Sequence, residues 1–361
     1  MAGGTGGHVF PGLAIAEQLR AQGVQVFWLG TRRGLEAELV PKAGFAIRFI
    51  YIGGLRGKGL VRQILAPFFI FIAFLQSLWA ILRIRPHVVL GMGGFVSGPG
   101  GVAAWLLHRR LLIHEQNAIP GMTNRLLASL ATTVMEAFPG SFSTVRGTYV
   151  RCPVQHTGNP VRHNIASLSP PVERLQRKDE VLRVLVLGGS QGAESLNKVV
   201  PEAVGTLVDS TLVMVRHQTG SQNLTSVRAS YRDLCVTVEL VPFIDDMAEA
   251  YEWADLVVSR AGAMTIAELT IVGVASILVP YPFAVDDHQL ENARFLANAG
   301  AAVLVPQSEL TAVDLGRLFS EFHGARHRLV AMAEAARGLA ISDATQRVVM
   351  QCMAAAHVYL R

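Results

Sequence analysis

A chain of 361 residues is long enough for about two domains, each with its own core. Its three cysteines, Cys152, Cys235 and Cys352, are odd in number and far apart, which argues against a disulfide framework or a zinc site and fits a reducing compartment. The net charge of +5 conceals an asymmetry: residues 1–150 carry 14 Lys/Arg against 5 Asp/Glu, a net of +9, and the remainder carries 18 against 22, a net of −4. Opposite signs in the two halves point to two domains with different partners. The basic half suits anionic lipid or a phosphorylated substrate. Nucleic acid is the least supported, because no zinc-finger, RRM or KH signature occurs.

The chain opens on Gly3-Gly4-Thr5-Gly6-Gly7-His8-Val9-Phe10-Pro11. Four glycines in five positions let a backbone pass close to a ligand. The periodic apolar residues Leu13, Ile15, Ala16 and Leu19 then predict a helix, so the loop feeds a helix N-terminus suited to an anion such as a diphosphate. His8 is the only ionisable group in that loop. Such a loop ordinarily follows a strand, yet only Met1 and Ala2 precede it, so an opening strand is expected upstream of Met1; no charged-then-apolar leader is seen. Val24–Gly30 and Ala46–Ile52 read as strands around a short helix at Leu35–Lys42. Alternation of apolar strands and helices predicts a parallel sheet covered on both faces.

A basic glycine-rich loop at 53–62 leads into Ile64–Leu82, an uncharged run of 19 residues bracketed by Arg62 and Arg83. Its length suits a membrane span. Pro67, Gln76 and Ser77 interrupt it, both flanks are basic, and a span would part His8 from the motifs that follow. A helix lying in the membrane interface with Phe68, Phe71, Ile72, Leu75 and Trp79 on one side is the favoured reading, and a buried core helix is the alternative.

Pro86–Leu90 is a strand running into a second glycine loop, Gly91–Pro99, and a helix near Val102–Leu107. Leu111–Ile113 is a further strand that ends in His114-Glu115-Gln116-Asn117, polar residues where parallel sheets place their chemistry. After Gly158-Asn159-Pro160-Val161-Arg162, the polar, proline-containing stretch Ser167–Lys178 reads as the linker. Val181–Leu187 then restarts the pattern, and Gly188-Gly189-Ser190-Gln191-Gly192-Ala193 echoes the opening loop. Strands at Leu212–Val215, Val236–Val241, Leu256–Val258 and Ser276–Val279 alternate with helices, and the tail is helical. Two α/β halves, each with a glycine loop, imply a cleft between them.

The ordered set of these motifs, with Ser259-Arg260-Ala261-Gly262-Ala263 and Asp287-His288-Gln289, resembles the MurG family over nearly the whole length. These are bacterial transferases that move N-acetylglucosamine from UDP-N-acetylglucosamine to undecaprenyl-pyrophosphoryl-MurNAc-pentapeptide, a step of peptidoglycan synthesis on which cell shape and division depend. The resemblance implies the α/β GT-B architecture, two Rossmann-like domains whose parallel sheets face a central cleft. It implies an acceptor-binding, membrane-associating domain at 1–160, a UDP-N-acetylglucosamine-binding domain at 161–335 and a final helical segment at 336–361 that returns to the first domain. It gives the 64–82 region a place in a membrane-facing patch on an anionic surface, with the enzyme peripheral on the cytoplasmic face of the inner membrane and other cell-wall synthesis proteins as partners.

The implied reaction is an inverting displacement with the muramyl C4 hydroxyl as nucleophile and UDP as leaving group. It needs a base for the hydroxyl and positive partners for the diphosphate. His8 suits the first need; Glu115 is the rival, the orienting partner of His8, or a loop bridge. Thr5, Gly6, Gly7, Ser190, Gln191 and Arg162 offer N–H groups, hydroxyls and a fixed charge for the second. The resemblance carries Ile244 to the uracil and Ala263, Met264 and Thr265, with the nearby backbone of Ile266 and Ala267, to the diphosphate. It carries Glu268 to the ribose hydroxyls, His288 and Gln289 to the sugar, and Asn117 to the neighbourhood of the reacting sugar. No Asp-x-Asp triplet occurs, so catalysis without metal or cofactor is expected, and Asp245-Asp246 and Asp286-Asp287 read as turn or cap residues. A dehydrogenase is disfavoured because neither glycine loop is a clean Gly-x-Gly-x-x-Gly with an acidic residue about 20 positions on. A diacylglycerol glycosyltransferase would share the fold without needing the His114–Asn117 motif, and a membrane scaffold would need no glycine loops at all.

Overall fold

The computed structural model describes residues 1–52, 65–145, 147–175, 181–189, 192–284 and 287–360. The basic loop 53–62, Ile64, Ser190, Gln191 and Asp286 lie outside them. The chain divides into two compact units, Met1–Arg162 with Ile341–Arg361, and His163–Ala340.

The first unit runs α1 (Gly6–Ala21), β1 (Phe27–Gly30), α2 (Glu36–Lys42), β2 (Ala46–Phe49), α3 (Ala66–Ile84), β3 (Val88–Gly91), α4 (Gly94–Leu106), β4 (Arg110–Glu115), α5 (Met122–Ala128), β5 (Thr133–Glu136) and β6 (Val154–His156). Every strand pair is parallel: β1 with β2, and β3-β4-β5-β6 in that order. Met1 and Ala2 are tied to both groups of strands. The Met1 amino group donates to Leu90 O at 2.7 Å, Met92 N donates to Met1 O at 2.9 Å, and Trp28 Nε1 donates to Ala2 O at 2.9 Å. These two residues thus occupy the strand-like position beside β3 from which the glycine loop departs.

The second unit runs β7 (Leu182–Leu187), α6 (Glu194–Gly205), β8 (Val213–Gln218), α7 (Leu224–Ser230), β9 (Thr237–Val241), α8 (Met247–Trp253), β10 (Leu256–Ser259), α9 (Ala263–Val272), β11 (Ala275–Leu278), α10 (His288–Ala297), β12 (Ala302–Leu304), α11 (Ala312–Gly324) and α12 (Arg326–Gly338). Its six strands are parallel in the order β12-β11-β10-β7-β8-β9. The runs Leu182–Val186, Leu256–Val258 and Ala275–Leu278 can be apolar almost throughout because both faces of the sheet are covered. The last helix, α13 (Ala344–Leu360), belongs to the first unit. Its Val348, Val349 and Cys352 share a core with Val9, Ile15, Ala16 and Trp28.

Strand order reverses between β7 and β10, since β8 and β9 lie to one side and β10, β11 and β12 to the other. Ligands of open parallel sheets bind beyond the carboxyl ends of the strands at such a reversal. In the first unit the corresponding place is where Ala2 and β3 each end in a glycine turn.

Three expectations shift. The helices after the first two glycine loops begin inside the loops, at Gly6 and Gly94. The stretch read as a linker is part of the second unit as far as residue 175. Buried Arg174 donates to Ser169 O, Tyr251 O, Val272 O and Gly273 O, which fastens it to the ends of α8 and α9. The second division falls after Ala340 rather than at 335/336, because α12 continues unbroken to Gly338.

Candidate active site

The first-unit loop is held by a carboxylate that the sequence reading passed over. Glu36, fully buried at the start of α2, accepts from Gly4 N at 3.0 Å, Thr31 N at 2.8 Å and Thr31 Oγ1 at 2.7 Å. A Cβ on Gly3 would lie 2.6 Å from Glu36 Oε1, so glycine there is a packing requirement. The legible signal was an acidic residue opening a helix just after the Gly30-Thr31 strand end. Thr5 is the N-cap of α1, and Gly6, Gly7 and His8 form its first turn.

His8 is half-buried and lies against the second glycine turn. Gly93 has φ +89° and a Cβ there would stand 3.0 Å from His8 Cε1; Gly94 has φ +76° and its Cβ would strike Gly3 O at 2.5 Å. Both glycines are needed, for left-handed backbone and for space. His8 Nδ1 is 2.8 Å from Gln116 Oε1, and Gln116 Nε2 is 3.0 Å from His114 Nδ1 and 3.1 Å from His114 O. His114 Nε2 is 2.9 Å from Gly158 O. Burial pushes the His114 imidazole down to about 4, so it stays neutral near pH 7.

Glu115, at the end of β4, is almost fully buried. Its Oε1 accepts from Asn117 N at 3.0 Å and Asn117 Nδ2 at 3.1 Å, and its Oε2 from Gly121 N at 3.0 Å and Asn124 Nδ2 at 2.9 Å. Four donors occupy the four lone-pair sites of a carboxylate. In this geometry Glu115 bridges the loop. Asn117 is positioned by it. Asn124, unremarked in the sequence, and Asn159, visible there only within the Gly158–Arg162 motif, are both buried and donate to His114 O and Gln116 O. Arg162 reaches back to α1, with its guanidinium 5.2 Å from the centre of the Phe10 ring.

In the second unit the glycine turn after β7 is braced by Gln218 Nε2, which donates to Gly189 O at 3.0 Å; Ser190 and Gln191 themselves are outside the described residues. Across the strand-order reversal, β10 ends in Ser259 and α9 starts at Ala263, so the first-turn N–H groups of Ala263, Met264 and Thr265 point away from the sheet's carboxyl edge. Arg260 anchors this turn. It donates to Val279 O, Pro280 O, Ser195 Oγ and Gln307 Oε1, and burial lowers its pKa. Glu268 is one turn into α9 beyond Met264 and accepts from Tyr251 Oη at 3.0 Å. Buried Ile244 precedes Asp246, which caps α8 through Ala248 N and Glu249 N. His288 opens α10, Gln289 Oε1 accepts from Tyr281 N at 3.0 Å, and Asn292 ties that helix to Ala261 O at 3.1 Å. Parallel topology therefore brings Ile244, Ala263–Glu268, His288 and Gln289 to one edge of one sheet.

Helix α3 is long and apolar enough to cross a membrane by length and composition. It buries Ala66, Ala73, Ser77, Ala80 and Ile81 and exposes Phe68 (60%), Phe71 (56%), Leu75 (46%) and Trp79 (60%), with Ile72 half-buried. Small residues and Ile81 face the unit, while Phe68, Phe71, Leu75 and Trp79 face out. Helix α4 packs on α3 and adds exposed Trp105 and Leu106, which the sequence reading missed because a Gly-rich helix gives little periodic signal. Beside them a cavity of about 510 Å³ is also lined by His108, Arg109 and Arg110.

The profile of the glycosyltransferase family 28 N-terminal domain matches residues 1–136, and that of the family 28 C-terminal domain matches residues 183–348. A UDP-N-acetylglucosamine–N-acetylmuramyl-(pentapeptide) pyrophosphoryl-undecaprenol N-acetylglucosamine transferase from Nitrosococcus oceani is 54% identical over 353 residues, 98% of this chain and 97% of its own. The crystal structure of MurG from Acinetobacter baumannii superimposes with a TM-score of 0.83 at 41% identity, covering 98% of both chains. A calicheamicin glycosyltransferase shares the fold alone, with a TM-score of 0.67 at 15% identity over 98% of this chain and 96% of its own. With parallel α/β sheets in two units of the GT-B class and this identity over its full length, the chain belongs to the MurG family of N-acetylglucosamine transferases within glycosyltransferase family 28.

Proposed function

We propose that this chain transfers N-acetylglucosamine from UDP-N-acetylglucosamine to the muramyl C4 hydroxyl of undecaprenyl-pyrophosphoryl-MurNAc-pentapeptide, with inversion, converting lipid I to lipid II. The observation that carries the mechanism is His8, an imidazole at the first-unit glycine turn, packed on Gly93 and tethered to Gln116. In this reading the hydroxyl oxygen attacks the anomeric carbon, its proton passes to His8, and the bond to the diphosphate breaks to release UDP. A base so placed is worth about 10²–10⁴-fold in rate.

The first turn of α9 supplies N–H groups and the positive dipole end for the diphosphate as its charge grows, with Thr5, Gly6, Gly7, Ser190, Gln191 and Arg162 as further partners. Glu268 takes the ribose hydroxyls, the backbone at Ile244 the uracil, and His288 and Gln289 the sugar hydroxyls. Asn117 lies near the reacting sugar, oriented by Glu115, which organises the loop instead of taking the proton.

The exposed side of α3 is read as lying in the membrane interface, which places the enzyme peripherally on the cytoplasmic face of the inner membrane. Burying Phe68, Phe71, Leu75 and Trp79 there would contribute about 1.5–3 kcal/mol each, and the basic lining at His108, Arg109 and Arg110 suits anionic headgroups.

The test is transfer of labelled sugar from UDP-N-acetylglucosamine to a lipid-linked muramyl pentapeptide, with EDTA present, by the parent and by His8→Ala. Metal-free transfer by the parent and a loss of about 10²–10⁴-fold in kcat in the variant, with UDP binding kept, are expected. A folded, UDP-binding parent that transfers nothing overturns the acceptor, and a variant at near full rate overturns His8 as base.

A further inference from the structure

The hydrogen bonds behind His8 have a direction, and that direction is fixed from the far end. Gly158 O can only accept, so His114 Nε2, 2.9 Å away, carries a proton. A neutral imidazole with its proton on Nε2 has a bare Nδ1, which must accept. Gln116 Nε2 is 3.0 Å from that Nδ1 and 3.1 Å from His114 O, a second group that can only accept. Both neighbours demand a donor, so the side-chain amide of Gln116 has its NH2 toward His114 and its carbonyl oxygen toward His8. That oxygen is 2.8 Å from His8 Nδ1, and it too can only accept. His8 Nδ1 therefore carries the proton.

We infer that the buried pair His114 and Gln116 are positioning residues that hold His8 in its Nδ1–H tautomer and so present Nε2, bare, as the atom that takes the acceptor's hydroxyl proton. The inference rests on the reading of His8 as the base. Free histidine prefers the opposite tautomer, with the proton on Nε2, in which the outward nitrogen could only donate. The relay reverses that preference with two carbonyls and one amide, all within the first unit. As the hydroxyl proton arrives at Nε2, His8 becomes an imidazolium and its Nδ1–H bond to Gln116 Oε1 becomes charge-assisted, which stabilises the developing charge without any second proton transfer. His114 remains neutral throughout, as its burial requires. The glycine turn leaves room for the ring, since a Cβ at Gly93 would stand 3.0 Å from His8 Cε1 and one at Gly94 3.4 Å from Cδ2.

Long-range ¹H–¹⁵N correlation on ¹⁵N-histidine-labelled full-length protein, with His8 assigned by its loss in His8→Ala, reads the tautomer directly. The parent should show His8 as Nδ1–H. In Gln116→Met, which keeps length and volume but removes both polar ends, the Nε2–H form should appear and kcat should fall about 10- to 100-fold with KM for UDP-N-acetylglucosamine unchanged. Gln116→Glu disturbs His114 at least as much, yet it keeps an acceptor for His8 Nδ1–H. It should therefore hold the tautomer and retain more activity than Gln116→Met, an order that a merely structural role would not produce. A parent with His8 as Nε2–H, or a tautomer that does not respond to Gln116→Met, overturns the relay even if the variants fold poorly. A relay seen by resonance with His8→Ala fully active leaves the tautomer assigned but overturns the base reading, and the proposed role of the relay with it.

Discussion

Both units bury a histidine on a strand beside the first strand of their sheet, and the two are wired alike up to their last partner. His114 on β4 donates from Nε2 to a carbonyl and accepts at Nδ1 from a side chain, Gln116. His217 on β8 donates from Nε2 to Asn197 Oδ1 at 3.0 Å, an amide oriented by Asn197 Nδ2 donating to Thr219 O, and accepts at Nδ1 from Tyr231 Oη at 3.2 Å. Among the described residues the second chain ends there, on a phenol that is itself buried and meets the imidazole edge-on at 6.1 Å. The first runs one group further, to half-buried His8 at a glycine turn. A buried polar chain is thus a packing device in one unit, and in the other the same device ends on a group that can meet a substrate. The deciding feature is the exposure of the terminal group.

Acid should reveal what the two imidazoles share. Burial lowers each of them from 6.5 to about 4, so between those values the unfolded chain binds a proton that the folded chain refuses. Stability then rises with pH across that window and is lost as pH falls from 6.5 toward 4, by on the order of 3 kcal/mol for each imidazole. Urea midpoints taken from pH 7 to pH 4 should fall steeply, and His217→Gln, which keeps a donor and an acceptor but does not titrate, should flatten the slope by about one proton. An identical slope in parent and variant would mean that His217 is not held neutral.

Glu115 sharpens the same contrast on the side of the site. Glu115→Gln puts an NH2 where two N–H donors now converge, so two donors, at most one of them fully buried, lose their acceptor at a cost of roughly 1–3 kcal/mol. The expected result is a clear loss in chemical unfolding and a smaller fall in kcat than His8→Ala gives. A stable Glu115→Gln protein with the kcat of His8→Ala would make Glu115 the base after all.

The sheet alternation, the glycine loops and the polar end of β4 could be read from the sequence because each is local. A strand closed by glycine before a periodic helix carries its own signal, and the runs at Val181–Leu187 and Leu256–Val258 needed no partner to be recognised. Glu36, Asn124 and Arg174 were not legible, because each acts on a backbone group outside its own segment of the chain. Arg174 looked like part of a solvated linker; only the carbonyls at the ends of α8 and α9 give it a buried role. His114 and Gln116 were visible as residues of a motif, but the direction of their hydrogen bonds depends on Gly158, 44 positions from His114.

The smallest effect is the most discriminating between the two chains. Tyr231→Phe removes the one donor to His217 Nδ1 and keeps the ring that packs against it, so it should cost about 1 kcal/mol, the net worth of a neutral hydrogen bond. The tautomer of His217 is set by Asn197 Oδ1 and should not change, because the Nε2–H bond survives. Neither UDP binding nor kcat should move, since among the described residues nothing beyond Tyr231 continues the hydrogen-bond chain. Gln116→Met makes the matching cut in the first unit, removing the donor to His114 Nδ1, but there the same amide also faces His8. A larger stability loss from Gln116→Met, which breaks three hydrogen bonds where Tyr231→Phe breaks one, with kcat changed only by Gln116→Met, is what a shared device with one functional end requires. A drop in kcat from Tyr231→Phe in folded protein would show that the second chain also reaches the reaction, and the distinction drawn from exposure would fail.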